Sequence, residues 1–278
     1  MTRPMRVLRT ARKPGRWLEQ LGEQLGFYGE AYGWSWKALG RYKTEILRNL
    51  GSIAFGTGAL ATVGGSAAVV GFINASTGAE VVIQGYTEAD RLGISVVIGF
   101  FSAFTGTRIA VPLICTVALI ATVGAGITAE LGAQRISEEI DALEVMAVPP
   151  IPFLVTTRII AGLITITPLF ILALFISFGA GRLLAVYAYG VSGGAFDHYF
   201  QAFLIPQDMI ASYVMVLAMS VLIVSVHCYY GFHARGGPAG VGEAVGRSVR
   251  LTLILVLFVQ FALTLLLFAN SDTFHLSR

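Results

Sequence analysis

What this 278-residue chain has least of is charge. Only 13% of its residues are Asp, Glu, Lys or Arg, where a soluble globular domain carries about 25%. With 55% hydrophobic residues and a mean hydropathy of +0.74, the composition excludes a soluble domain and points to an integral membrane protein. Cysteine is scarce as well: Cys115 and Cys228 both fall in apolar runs, which excludes a disulfide framework and suits small apolar fillers. There is no G-x-x-x-x-G-K-[ST] phosphate loop, so the chain does not bind and hydrolyse ATP in that way. The apolar runs hold almost no Asp or Glu, which argues against a proton relay. No serine elbow or Cys/His pair marks a nucleophile. His227, Cys228 and His233 lie close together, but their spacing does not suit one helical face and no carboxylate is near, so a metal is not expected. The basic N-terminus lacks a short apolar core with a small-residue cleavage site, and a cleaved signal peptide is not expected.

The apolar runs that are present are each long enough to cross a hydrocarbon core, which takes about 20 residues. They lie at 50–74, 92–124, 151–180, 208–232 and 250–270. Five crossings place the termini on opposite sides. Residues 1–48 carry ten Arg or Lys, and a cytoplasmic N-terminus puts fifteen basic residues inside against Arg91, Arg182 and Arg278 outside. The reading is therefore N-terminus in and C-terminus out, in the cell's inner (plasma) membrane. The basic excess behind the pI near 8.9 is explained by attraction to anionic lipid, without nucleic acid.

From Trp17 to Leu39 the residues Leu18, Leu21, Leu25, Tyr28, Tyr32, Trp36 and Leu39 form one apolar helical stripe. With Glu19, Glu23, Glu30 and Lys37 on its other faces, this helix is expected to lie flat at the cytoplasmic interface. The first span is rich in glycine (Gly51, Gly56, Gly58, Gly64, Gly65, Gly71), which predicts close packing against another helix, in this chain or in a second subunit. The second span runs some 30 residues from Ile94 to Val123, roughly 45 Å against a core of about 30 Å, so it must tilt or protrude. It carries Arg108 at membrane depth, facing an anionic group in a transport path or snorkelling from an off-register span.

Between the second and third spans, residues 128–150 hold five of the chain's 16 carboxylates. Here a helix from about 129 to 147 is predicted, ended by Pro149-Pro150. Ile136, Ile140, Leu143 and Ala147 form an apolar line, and Glu138, Asp141 and Glu144 recur at every third position. An amphipathic cytoplasmic helix held by two spans is a lever. Beyond the third span, residues 181–205 gather Tyr187, Tyr189, Phe196, Asp197, His198, Tyr199 and Phe200, as an aromatic belt or an external dock.

The stretch Leu119–Pro149, with Ala129-Glu130-Leu131-Gly132, Arg135, Asp141-Ala142-Leu143-Glu144 and Met146-Ala147-Val148, resembles the signature loop of the MlaE/YrbE permeases. These are the membrane subunits of ABC-type lipid transporters that work with MCE-domain proteins. The resemblance covers residues 50–270, including Pro112 at its spacing to Glu130, Gly242-Glu243-Ala244-Val245-Gly246-Arg247 and Phe268-Ala269-Asn270. The Arg-rich N-terminus and Trp/Tyr helix are similar to actinobacterial YrbE subunits of Mce systems. The resemblance implies an all-α membrane fold, with an N-terminal interfacial helix (domain 1–48) and five transmembrane helices (49–278). A coupling helix lies between the second and third of these.

It also implies a lipid substrate, a second permease, a cytoplasmic ATPase dimer that supplies ATP and Mg, and MCE-domain proteins outside. No cofactor is implied in this chain. Glu130, Arg135, Glu138, Glu139, Asp141 and Glu144 would lie in the coupling helix, and Arg108, Gly64, Gly65 and Phe72 on the lipid pathway. Two departures, Ala121-Thr122-Val123-Gly124 for a family Gly-Arg-x-Gly and Ile109 for an acidic residue, suit pairing with a non-identical permease. Import is the favoured direction, and fatty acids, sterols and phospholipids all fit. A secondary lipid carrier, which would need internal repeats and membrane carboxylates, is one alternative class. A membrane-embedded lipid-modifying enzyme, hinted at only by Asp197-His198, is the other.

Overall fold

A computed structural model describes residues 15–55 and 65–268, and every regular element among them is a helix. Five helices are long and apolar enough to cross a membrane: Ser66–Arg91, Ser95–Ile136, Ile151–Ala188, Pro206–Phe232 and Gly237–Phe268. The five-span, all-α architecture expected from composition is thus present, with shifted boundaries.

The largest shift is in the first span, expected at 50–74 and found at Ser66–Arg91. Residues 50–55 belong instead to a separate helix, Lys43–Phe55. The helix continues past residue 74 because packing rather than hydropathy holds it. It lies along the third span so closely that a Cβ on Gly71 would meet Ile176 at 2.9 Å and one on Gly78 would overlap the Ser177 carbonyl. Small residues let backbones approach in this way, and Glu80, Glu88 and Asp90 are carried along on the exposed side. Of the glycines expected to pack, Gly71 does so inside the chain, joined by Gly78 beyond the expected set, whereas a Cβ on Gly51 would meet nothing within 4 Å. Gly56, Gly58 and Gly64 lie outside the described residues.

The second span is one continuous rod of 42 residues. At 1.5 Å per residue it measures roughly 63 Å, about twice a core of about 30 Å, so one end must stand in water. Two π-helical turns interrupt it, Gly106–Ala110 and Ile120–Gly124. Leu119 and Ile127 pack with Ile159 and Ile166 of the third span and Met215, Met219 and Ile223 of the fourth in the main core. A second, smaller cluster of Val82, Ile98, Ala185 and Phe196 closes one end of the bundle. The fifth span is the least enclosed and leaves Phe258, Phe261 and Leu266 exposed.

The N-terminal stripe is broken in two, with helices at Gly15–Gly33 and Ser35–Arg41. The face packed against the bundle carries Phe27, Ala31 and Ala38, while Leu25 and Trp36 from the expected stripe are 70% and 87% exposed. Thr156 donates to the Ala31 carbonyl at 2.8 Å, Tyr32 hydrogen-bonds Ser225, and Asn49 donates to Thr157 at 3.1 Å. These bonds tie the N-terminal helices to the starting end of the third span and, through Ser225, to the closing turns of the fourth.

Candidate functional site: an acidic elbow and two buried arginines

The acidic stretch is not one helix. The second span runs on to Ile136, the chain turns at Ser137-Glu138, and a short helix follows at Glu139–Val145. Glu138 takes a left-handed backbone (φ 61) and Ala147 does so again (φ 56), bracketing the short helix with two sharp breaks. A left-handed residue ends a helix by freeing its last carbonyls for tighter bonds. Here the Ser137 amide donates to Ala133 and its hydroxyl donates to the Glu139 carboxylate at 3.1 Å. Nothing in the composition of 129–147 signals this, because Glu is not a residue that ordinarily takes that conformation.

The result is an elbow with an anchored inner face. Ile140 is fully buried, with Leu143 packed beside it in the main core. Arg135 pairs with Asp141 at 2.6 Å across the break. Outward it presents Glu138, Glu139, Asp141 and Glu144, followed by Val145 (88% exposed) and Met146 (63%). Of the sequence-predicted coupling residues, Arg135, Glu138, Glu139, Asp141 and Glu144 therefore sit on or beside one knob with an acidic flank and an apolar tip, and Glu130 stands behind it on the second span.

Behind the elbow lies Arg158, at the start of the third span. It is buried, donates to the Leu154 carbonyl at 3.0 Å and reaches Gln134 at 3.5 Å and Glu130 at 3.6 Å. One guanidinium thus bridges the last turns of the second span and the first turns of the third.

Arg108 sits on the first π turn and faces inward, where Asp208 meets it at 2.7 Å. Both are almost fully buried, and the guanidinium lies 4.4 Å from the centre of the Phe104 ring and 4.9 Å from that of Phe268. The partner of Arg108 is thus a carboxylate that the protein itself supplies. Ser212, one turn beyond Asp208, donates to the Thr107 carbonyl at 2.5 Å, fastening the fourth span to the same π turn. Phe72 points the other way, 75% exposed on the first span. Gly65 begins the first helix of the bundle, and Gly64 lies outside the described residues.

Between these two arginines the second span is pinned again. A Cβ on Gly124 would strike the ring of His227 at 2.6 Å. His227 bonds Thr128 at 2.7 Å and Thr252 at 3.3 Å, joining the second, fourth and fifth spans. His233 instead stacks near Phe27 and Tyr229, away from His227. The Asp197-His198 hint of an enzyme site also separates. Asp197 is held by Arg182 at 2.7 and 2.8 Å, and that bonding keeps its carboxyl below the usual carboxylate range.

Residues 55–266, which take in all five spans up to the last turn of the fifth, match the family described as Permease MlaE. The chain belongs to the MlaE permease family. Among its relatives is a probable ABC transporter permease protein of Rickettsia prowazekii, 29% identical over 200 residues, covering 72% of this chain and 77% of the relative. The chloroplastic protein TRIGALACTOSYLDIACYLGLYCEROL 1 of Arabidopsis thaliana is 28% identical over 189 residues, 68% of this chain and 54% of that protein. The intermembrane phospholipid transport system permease protein MlaE of Haemophilus influenzae is 27% identical over 158 residues, 56% of this chain and 60% of its own. This MlaE-family chain is accordingly a multi-pass ABC-transporter permease, and the matched region contains both buried arginines and the elbow.

Proposed function

We propose that the chain is the membrane subunit of an ABC-type lipid transporter, enclosing half of a lipid pathway and driven by a separate cytoplasmic ATPase. The observation that carries this reading is the elbow. An exposed acidic and apolar knob stands at the end of a rod roughly 63 Å long, and Arg158 braces it against the next span. A force on the knob is delivered to the second and third spans together, because Ile140 and Leu143 seat the knob in the core and Arg158 links the two spans behind it. In this reading the elbow and N-terminus are cytoplasmic, the C-terminus is outside, and the N-terminal helices lie in the inner interface with Leu25 and Trp36 in lipid.

ATP and Mg belong to the ATPase chains, whose closure draws two elbows together and repacks the first and second spans around the lipid. A second, non-identical permease completes the pathway, and MCE-domain proteins receive or deliver lipid outside, in an import system. The family match and the phospholipid-transport name of the Haemophilus relative support the substrate class. The engaged state of Asp197 disfavours a lipid-modifying enzyme.

The test replaces Glu138, Asp141 and Glu144 together with Lys and follows ATPase copurification and lipid uptake. All three are exposed, so the bundle should persist. Loss of both readouts is expected, and survival of both sinks the coupling role.

A further inference from the structure

Away from the elbow, a groove of about 740 Å³ opens between the third span, the helix Gly193–Phe203 and the start of the fourth span. Ligand sites run from about 300 to 1,000 Å³. Its lining is chiefly apolar, with Leu174, Phe175 and Phe178 from the third span, Phe196 and Phe200 from the crossing helix, and Met209. Phe178 and Phe200 meet edge to face at 5.0 Å, and Phe175 is 75% exposed, so the groove opens on the outer surface of the bundle. Its polar end is the Arg182–Asp197 pair, 46% and 40% exposed at the side chains, with Gln201 beside it.

An apolar groove on the hydrocarbon-facing side of a membrane helix is filled by acyl chain, since an unfilled void forfeits its dispersion contacts. The charged end selects what that chain is attached to. A purely anionic headgroup meets Asp197 and a purely cationic one meets Arg182. A headgroup with a phosphate and an ammonium satisfies both, the phosphate on the guanidinium and the ammonium on the carboxylate. Arg108 and Asp208 cannot serve in this way, because both are buried, whereas Arg182 and Asp197 are half exposed and keep free edges beside their mutual bonds.

We propose that this groove holds an acyl chain of a zwitterionic glycerophospholipid whose headgroup sits across Arg182 and Asp197. The site rests on the membrane-permease reading but not on the identity of the elbow's partner. It also gives the aromatic segment 181–205 a use.

Gly179 lines the groove, and a Cβ there would meet no atom within 4 Å, so it can be enlarged without moving the backbone. The experiment places the purified transporter in vesicles containing phosphatidylethanolamine with a photoactivatable diazirine on its acyl chain, and maps the labelled peptides. Label should concentrate in 171–179 and 200–209, several-fold above the exposed fifth-span face around Phe258 and Phe261. It should drop to that background in Gly179→Trp and in the milder Gly179→Leu. Asp197→Asn should shift labelling toward a phosphatidylglycerol probe. ATPase copurification of the Gly179 variants should match the wild type, which separates this site from the elbow's function. Labelling no higher than on the fifth span, labelling indifferent to both Gly179 variants, a partner helix cross-linked in the groove, or no headgroup shift in Asp197→Asn would each overturn the proposal.

Discussion

Arg108 and Arg158 are equally buried, at 5% and 4% exposure, yet they are held in opposite ways. Arg108 has a buried carboxylate at 2.7 Å and two aromatic rings around it. Arg158 has one backbone carbonyl at 3.0 Å and reaches for a more exposed Glu130 at 3.6 Å, beyond hydrogen-bonding distance. In a low-dielectric interior a short, closed ion pair behaves as a rivet, because separating it strands a charge. A longer pair with one partner in water can stretch without that penalty. The two buried arginine contacts made on the second span are therefore built for different tasks, one fixed and one able to give.

The sharpest way to break this contrast is to strand one charge at a time. Asp208→Leu leaves Arg108 unpaired and should cost about 3–5 kcal/mol, read as a large loss of thermal stability in detergent. Combining it with Arg108→Met should recover most of that loss, since replacing a whole buried pair is often near neutral. At the other contact, Arg158→Met removes a hydrogen bond from a charged donor and should cost about 1.5–3 kcal/mol. Lipid uptake should fall further than stability does, because the brace behind the elbow is gone. Should both arginines prove equally costly, the contrast between rivet and brace fails.

Smaller changes sharpen it further. Glu130→Gln weakens a half-exposed ion pair and should cost under about 1 kcal/mol by thermal unfolding. Least of all, Glu138→Gly relieves a left-handed side chain and should raise the melting temperature slightly, a gain of under about 1 kcal/mol.

Five membrane crossings were legible because hydropathy reports the solvent directly. The elbow's position and its acidic face were legible too, since a charged run between two apolar ones has nowhere else to go. The partner of Arg108 was not. Asp208 stands 100 positions away at the N-terminal end of a helix, where an acidic residue reads as an ordinary helix-start signal. The break at Glu138 was equally hidden, as backbone handedness at a non-glycine residue leaves no compositional trace. The first span was misplaced because Glu80, Glu88 and Asp90 look like the end of a span. They are tolerated only because Gly71 and Gly78 seat the helix against the third span.

The two π turns of the second span carry a consequence for its angular phase. Each α-helical residue advances about 100° around the axis, so the direction in which the elbow faces depends on the residue count between it and Arg108. Deleting one residue from the α-helical stretch Val111–Leu119 between them would leave the hydropathy of the span nearly unchanged. It would swing the acidic knob roughly a quarter of a turn away from any subunit waiting below.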